Sequence, residues 1–171
     1  MAHSGIGDTA TGQVYVVGET TGDFGFESFG SGDGFVARLN IEDGSVMWAK
    51  QIGTGDLDTV TAATLHSDGD VVVSGTTHGT LDEGSNSGGS DGFVAKYGAD
   101  GTLIWASQYG TSDEDVGGFI DTDSSGKIVV YAYTLNGDAW DILFTTFDSL
   151  GNLTQTKIFP LSGSEGPARR F

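Results

Sequence analysis

Several residue types are missing or scarce in this chain of 171 residues, and each absence excludes a class of protein. There is no cysteine, which excludes a disulfide framework, a thiol nucleophile and thiolate metal sites. Only 7 residues are basic against 24 acidic ones, and the formal charge of −17 repels nucleic acid and anionic lipid. No apolar run approaches the roughly 20 residues that a transmembrane helix needs. We therefore expect neither nucleic-acid binding nor membrane insertion.

Proline is also scarce, with 2 residues, whereas glycine is abundant, with 29, and aromatic residues make up 11% of the chain. This composition is typical of short strands joined by glycine turns, and it argues against disorder. The first residues, MAHSGIGDTA, lack the basic and apolar regions of a signal peptide. From the acidic composition we expect an extracellular or cell-surface setting, within a longer parent protein that carries the export signal.

A repeat of 57 residues organises the chain. The stretch that begins GQVYVVG at Gly12 returns as GDVVVSG at Gly69 and as GKIVVYA at Gly126. The third copy is seven residues shorter in one loop, since its later matches lie 50 residues on rather than 57. The repeat units run over about 1–53, 54–110 and 111–160 of a single domain, and 161–171 begins a further repeat or forms a tail.

Each copy contains four strand-like segments, seen best in the second copy at 59–66, 70–76, 92–97 and 103–109. The connecting turns are too short for crossover helices, so neighbouring strands are antiparallel. Runs such as Val71-Val72-Val73 are apolar on both faces, which requires cover from both sides. The pattern predicts an all-β protein of stacked four-stranded blades, a β-propeller with an incomplete ring of about three repeats.

The copies differ in completeness. We expect full blades at 58–110 and 115–159, but only three strands at 12–53, because the glycine-rich residues 1–11 precede them. Propellers need about four to eight blades. The chain is therefore expected to be a fragment, or to associate with further blades of the same or another chain.

The unit DTVTAATLHSDGDVVVSGTT, followed by GGSDGFVAKYGADGTLIWASQYG, resembles the bacterial β-propeller repeat called SBBP. The shared elements are Asp68-Gly69, Gly75-Thr76-Thr77, Asp91 through Lys96 and Gly101 through Trp105. The third copy departs from the pattern, with Gln155 at the tryptophan position and Thr146 at the lysine position. The resemblance implies the fold and says almost nothing about function.

A second resemblance involves residues 39–53, LNIEDGSVMWAKQIG, which is similar to the tryptophan-docking segment of quinoprotein dehydrogenases. It departs from that pattern at Asn40 and at Asp43-Gly44-Ser45. It would imply a redox enzyme whose active groups lie in blades outside this chain.

Candidate catalytic residues are few. Gly88-Gly89-Ser90-Asp91-Gly92 fits the Gly-x-Ser-x-Gly nucleophile elbow, but such an elbow needs a following helix and here a strand is predicted. The equivalent of Ser90 in the first copy is Gly32, so we assign no catalytic residue. Asp33, Asp91 and Asp141 recur before the same strand, where we expect them to accept backbone hydrogen bonds. The recurrent Trp48 and Trp105 are predicted to pack between blades.

The candidate metal ligands are Asp121 and Asp123, because Asp121 through Gly126 begins like a calcium loop. The loop lacks the glutamate expected at its twelfth position, so a plain hairpin turn is the favoured interpretation and calcium binding the alternative, and no other cofactor is expected. The predicted function is a non-catalytic scaffold or interaction module with a protein or glycan partner. The alternatives are a fragment of a propeller enzyme, hydrolase or quinoprotein-like, and a calcium-stabilised adhesion module.

Overall fold

The computed structural model describes residues 1–8, 11–22, 29–81 and 86–161. Within them the protein is all-β, with twelve strands, no helix, and consequently no helix that could span a bilayer. The strands are β1 (Ala2–Asp8), β2 (Gln13–Thr20), β3 (Asp33–Asn40), β4 (Val46–Ile52), β5 (Asp58–Leu65), β6 (Val71–Thr77), β7 (Asp91–Tyr97), β8 (Leu103–Tyr109), β9 (Asp115–Thr122), β10 (Ile128–Asn136), β11 (Ala139–Phe147) and β12 (Leu153–Phe159).

Three antiparallel sheets contain these strands in chain order. β1 to β4 form the first sheet, β5 to β8 the second and β9 to β12 the third. Neighbouring strands are joined by hairpins, and the turns before β6 and β10 contain Gly69 and Gly126 at φ values of +90° and +81°. Only glycine adopts this backbone conformation without strain. The predicted sheets at 58–110 and 115–159 are therefore confirmed.

The first sheet is more complete than the sequence indicated. Residues Ala2–Asp8 form strand β1, which pairs with β2 from Ala2 opposite Gly18 to Asp8 opposite Gln13. The expectation of three strands was wrong because Gly5 and Gly7 have low strand propensity, and propensity is overridden where a neighbouring strand supplies backbone partners.

In the shortened third copy a tight hairpin replaces the longer loop of the second copy. β10 and β11 continue to Asn136 and Ala139, which pair with each other and leave only two residues in the turn. Gly137 there has φ +64°, the left-handed conformation that two-residue hairpins require. The seven missing residues therefore come from the connection between the second and third strands of the sheet.

The second sheet lies between the other two. Val71, Val73 and Phe93 belong to a core shared with the first sheet, whereas Val72 and Val94 belong to a core shared with the third. All five side chains are fully buried. This confirms the inference that the Val71-Val72-Val73 run is covered on both faces. The sheets do not close into a ring within the described residues.

The third sheet approaches the second closely where its first strand, β9, lies against β6. A Cβ added to Gly117 in β9 would lie 1.9 Å from the carbonyl oxygen of Gly75 in β6. The Gly117 amide also donates a hydrogen bond to the Thr76 hydroxyl oxygen at 2.9 Å. Backbone contact at this distance is possible only because Gly117 has no side chain.

The further repeat or tail expected at 161–171 lies, beyond Leu161, outside the described residues.

Candidate interaction surfaces

Two polar joints connect consecutive sheets. We call Asp33 with residues 51–58 the first joint, and Asp91 with residues 108–115 the second. Asp91 is fully buried, and its Oδ2 accepts hydrogen bonds from the Ser87 amide at 2.8 Å and Gln108 Nε2 at 2.9 Å. Asp33 Oδ2 accepts the same kinds of bond, from an amide at 2.9 Å and from a glutamine at 3.0 Å. The predicted role of these aspartates as backbone acceptors is confirmed.

A second aspartate completes each joint. Asp115 begins β9 and is fully buried; its Oδ2 accepts from the Thr111 amide at 2.6 Å and the Thr111 hydroxyl at 3.1 Å. Asp58 begins β5 and accepts from Thr54 in the same way, at 2.6 and 3.0 Å. Sequence reasoning missed both residues, although Gly-Thr-x-x-x-Asp recurs at the 57-residue offset, at Gly53 and Gly110.

The two carboxylates of a joint converge on a glycine. A Cβ on Gly110 would lie 2.5 Å from Asp91 Oδ1 and 2.8 Å from Asp115 Oδ2. Burial raises the pKa of Asp115, and the Asp91 charge raises it further, against hydrogen bonds from Thr111 and Thr134 that lower it. Burial likewise raises the pKa of Asp58. These aspartates therefore fix the starts of strands β5 and β9 at an electrostatic cost, because burial disfavours the charged form of a carboxylate.

The joint in the third copy differs. Asp141 Oδ1 accepts the Leu161 amide at 2.9 Å, and Oδ2 accepts Asn136 Nδ2 at 3.0 Å. The glutamine position of the other copies is occupied by Ile158, so the amide of Asn136 supplies the side-chain donor. The aspartate thus keeps its role as a backbone acceptor while its side-chain partner changes.

A buried charge cluster connects the second and third sheets at another end. Lys96 Nζ lies 2.5 Å from Asp68 Oδ2 and 3.2 Å from Asp70 Oδ2, with only 6% of its side chain exposed. His66 Nδ1 lies 2.8 Å from Asp68 Oδ1, and its Nε2 lies 3.2 Å from the Gly126 carbonyl. Burial alone would raise the pKa of Asp68, but hydrogen bonds from Lys96 and His66 lower it to about 2. The cluster is an ion-pair network that links β7 to the turn before β6.

Tryptophans pack one sheet on the next hairpin, as predicted. Trp48 Nε1 donates to the Ala99 carbonyl at 2.9 Å, and its ring stacks on Tyr97 with centroids 6.4 Å apart. A Cβ on Gly101 would come within 2.8 Å of that ring. Trp105 occupies the same place against the next hairpin, where a Cβ on Gly151 would approach its ring to 2.6 Å.

The structure gives Ser90 a role in the second joint. Only 4% of Ser90 is exposed, and its Oγ donates to the Asp115 carbonyl at 2.9 Å. Ser90 immediately precedes strand β7, so the strand-to-helix turn of a nucleophile elbow does not occur there. The serine fixes the entrance of β9.

The two calcium candidates lie at a hairpin. Asp121 is in β9, and Asp123 lies in the turn that follows. Asp123 Oδ1 accepts hydrogen bonds from the Ser125 hydroxyl at 2.6 Å, the Lys127 amide at 3.0 Å and the Ser125 amide at 2.8 Å, and these contacts lower the pKa of Asp123. Within the described part of the chain, no group of three or more histidine or acidic side chains is placed to hold a metal. Calcium binding at Asp121 and Asp123 stays a prediction.

The outer side of the first sheet is a shallow apolar depression, which we call the aliphatic face. Val16 pairs with Ala37, and Ala37 with Ala49, so these residues share one side of the sheet. The side chains next to them, such as Val17 and Val36, point the other way into the core. The depression encloses about 570 Å³ and is completed by Phe35, Leu39, Val46, Met47 and Trp48.

The outer side of the third sheet carries exposed aromatic rings, which we call the aromatic face. Tyr131 pairs with Phe119 on one side and Phe144 on the other, so the three rings form a row across the sheet. The Tyr131 and Phe144 centroids are 5.3 Å apart, and Phe159 adds a second edge contact to Phe144 at 6.3 Å. Phe119 is 72% exposed, Tyr131 49% and Phe159 48%. Exposed apolar surface of this kind marks interaction sites.

A groove of about 560 Å³ also opens between the first and second sheets. It is lined by residues of both sheets, with Lys50, Gln51, Tyr97 and Leu103 among them. None of the described residues that line it is an aspartate, a glutamate or a histidine.

Comparison with protein-family models and with curated proteins finds no match to this chain.

Proposed function

We propose that the chain is a non-catalytic β-propeller segment, that its three sheets are blades, and that it serves as a scaffold and interaction module. Three four-stranded antiparallel sheets in chain order, stacked through shared cores, support the blade assignment. The likeness to the SBBP repeat remains part of this proposal. Because the chain carries a formal charge of −17, we also propose an extracellular or cell-surface parent protein.

One observation carries the functional part of the proposal. The buried polar side chains that could perform chemistry are used to connect sheets: Asp91, Asp115 and Ser90 in the second joint, and Lys96 with His66 in the charge cluster. A catalytic acid, base or nucleophile must instead reach a substrate from a cleft. What the described residues expose at the outer sheets is apolar and aromatic surface, which suits binding.

The proposal is tested by measuring activity and binding on the same protein. We expect no turnover on panels of ester, glycoside, phosphoester and alcohol substrates. We expect saturable binding to some members of defined peptide and glycan arrays, reduced when a charge enters an apolar face. Turnover that purifies with the chain, and that is lost in Ser90→Ala or Asp115→Asn, would overturn the non-catalytic assignment.

A further inference from the structure

We infer that a second copy of this chain binds head to tail, the aromatic face of one copy on the aliphatic face of the other. Two such contacts would close three sheets from each chain into a ring of six. The inference builds on the blade and interaction roles proposed above, and the internal repeat of the chain is what identifies the partner.

The aliphatic face has a counterpart that is already buried. Val16 and Ala37 of the first sheet correspond in the repeat to Val73 and Ala95 of the second sheet. Val73 and Ala95 are fully buried against the first sheet. In the second repeat unit, this side of the sheet packs against the preceding sheet. The aliphatic face is the equivalent side of the first unit.

The aromatic face has the opposite counterpart. Phe144 and Phe159 correspond, 50 residues earlier, to Val94 and Tyr109 of the second sheet. Val94 and Tyr109 are buried in the core that the second sheet shares with the third. The aromatic face is thus the side of a repeat unit that packs against the following sheet. A second copy could supply both partners: its aromatic face would act as the preceding sheet for the aliphatic face, and its aliphatic face as the following sheet for the aromatic face.

Shape agrees with this pairing. The aromatic rings of Phe119 and Tyr131 project from the third sheet, and the first sheet offers a depression of about 570 Å³ floored by Val16, Ala37 and Ala49. Two faces with projecting rings, or two depressions, would not interdigitate in this way. A contact between different faces is heterologous, and it forms a closed ring only if the rotation per sheet allows it. Six sheets lie within the range of about four to eight that propellers use.

Charge opposes the association and makes it dependent on salt. Each copy carries −17, and the repulsion between copies is screened over about 8 Å at physiological ionic strength and about 3 Å at 1 M salt. Burial of the aromatic rings favours association at any ionic strength. The fraction of dimer should therefore rise with salt, the opposite of the behaviour of an assembly held by ion pairs.

Three variants distinguish this arrangement from others. Ala37→Glu places a charge on the aliphatic face, and Tyr131→Glu places one on the aromatic face. Leu150→Glu is the matched control, because Leu150 is 74% exposed in the turn between β11 and β12 and lies on neither face. Circular dichroism should show that all three keep the wild-type strand content.

The assay is mass measurement by light scattering and analytical ultracentrifugation, at physiological and at high salt. We expect wild type and Leu150→Glu to be dimers, and Ala37→Glu and Tyr131→Glu to be monomers when each is alone. Mixed together, Ala37→Glu and Tyr131→Glu should form a one-to-one dimer through the single contact between their intact faces, weaker than the wild-type dimer because both glutamates meet at the other contact. Restored assembly would also show that both variants are folded. Phe119→Glu places a charge at a second position of the aromatic face and should behave like Tyr131→Glu.

A monomeric wild-type protein at high salt would overturn the inference, as would growth into polymers without closure. Dimers of Ala37→Glu alone would show aromatic faces binding each other, and dimers of Tyr131→Glu alone would show the same for aliphatic faces; either result contradicts head-to-tail contact. Enzymatic turnover would contradict the proposed non-catalytic function, but it would not alter the mass expected for the assembly.

Discussion

Asp115 in the second joint allows the contributions of hydrogen bonding and of charge to be separated. Its Oδ2 accepts two bonds from Thr111, one from the amide and one from the hydroxyl. Asp115→Ala removes the acceptor and leaves the Thr111 donors without their partner. With two bonds to a charged group at about 1.5 kcal/mol each, we expect a loss of about 3 kcal/mol in the free energy of unfolding.

Asp115→Asn should behave differently. The asparagine oxygen can accept both Thr111 bonds, and the substitution removes a charge that burial and Asp91 both disfavour. We therefore expect its free energy of unfolding at pH 7 to lie within about 1 kcal/mol of wild type. Asp113→Asn is the control, because Asp113 lies in the same loop as Thr111 but is exposed.

The pH dependence gives an independent measurement. The folded-state pKa of Asp115 is raised above its ordinary value of 3.8, so the folded state takes up a proton at higher pH than the unfolded state. The stability from this group is fully present below pH 3.8 and is lost as the pH rises through the folded-state pKa. Wild type should therefore gain stability relative to Asp115→Asn as the pH falls from 7 towards 4.

Urea denaturation followed by tryptophan fluorescence, at several pH values, measures both effects. If Asp115→Asn proved as unstable as Asp115→Ala at pH 7, the negative charge itself would be required. A cation shared by Asp91 and Asp115 would then explain the joint better than hydrogen bonding does.

Three other substitutions test separate features. Gly117→Ala should destabilise the protein by about 3 kcal/mol, since its Cβ would collide with a backbone carbonyl; Gly7→Ala, in open space in β1, should change stability by less than about 1 kcal/mol, and equal effects would contradict the close approach. Lys96→Met should lower the free energy of unfolding by about 3 kcal/mol. It should also reduce the loss of stability that wild type shows between pH 3.8 and about 2, where the Asp68 carboxylate titrates. Lys157→Met, at an exposed lysine, should have neither effect. Excess calcium should leave the melting temperature unchanged, and a rise abolished by Asp123→Ala would instead establish the calcium site.

The sequence was most informative where backbone conformation is decided locally. Gly69 and Gly126 mark hairpins because the left-handed conformation favours glycine, and the apolar run at Val71-Val72-Val73 requires cover on two sides. Strand β1 could not be read in this way. Its pairing with β2 depends on backbone groups that every residue carries, so Gly5 and Gly7 gave no signal.

The joints were only half predictable. Asp33 and Asp91 recur before an obvious strand, and a role as acceptor follows from that position. Asp58 and Asp115 resemble the many acidic turn residues of an acidic chain, and only their pairing across sheets gives them a distinct role. Lys96 is harder still, because its partners Asp68 and Asp70 lie across a strand pair and the other copies of the repeat lack the set.

The joints also allow the chain to lengthen by duplication. Each one takes its first aspartate from one repeat unit and its second from the next, with glycine and threonine between them. An in-frame duplication of residues 58–114 would therefore supply a new sheet already bearing both halves of a joint. The joints themselves would need no substitution at either border, and only Val60 of the new copy, which would stand against Gly75 in the place of Gly117, would have to be accommodated.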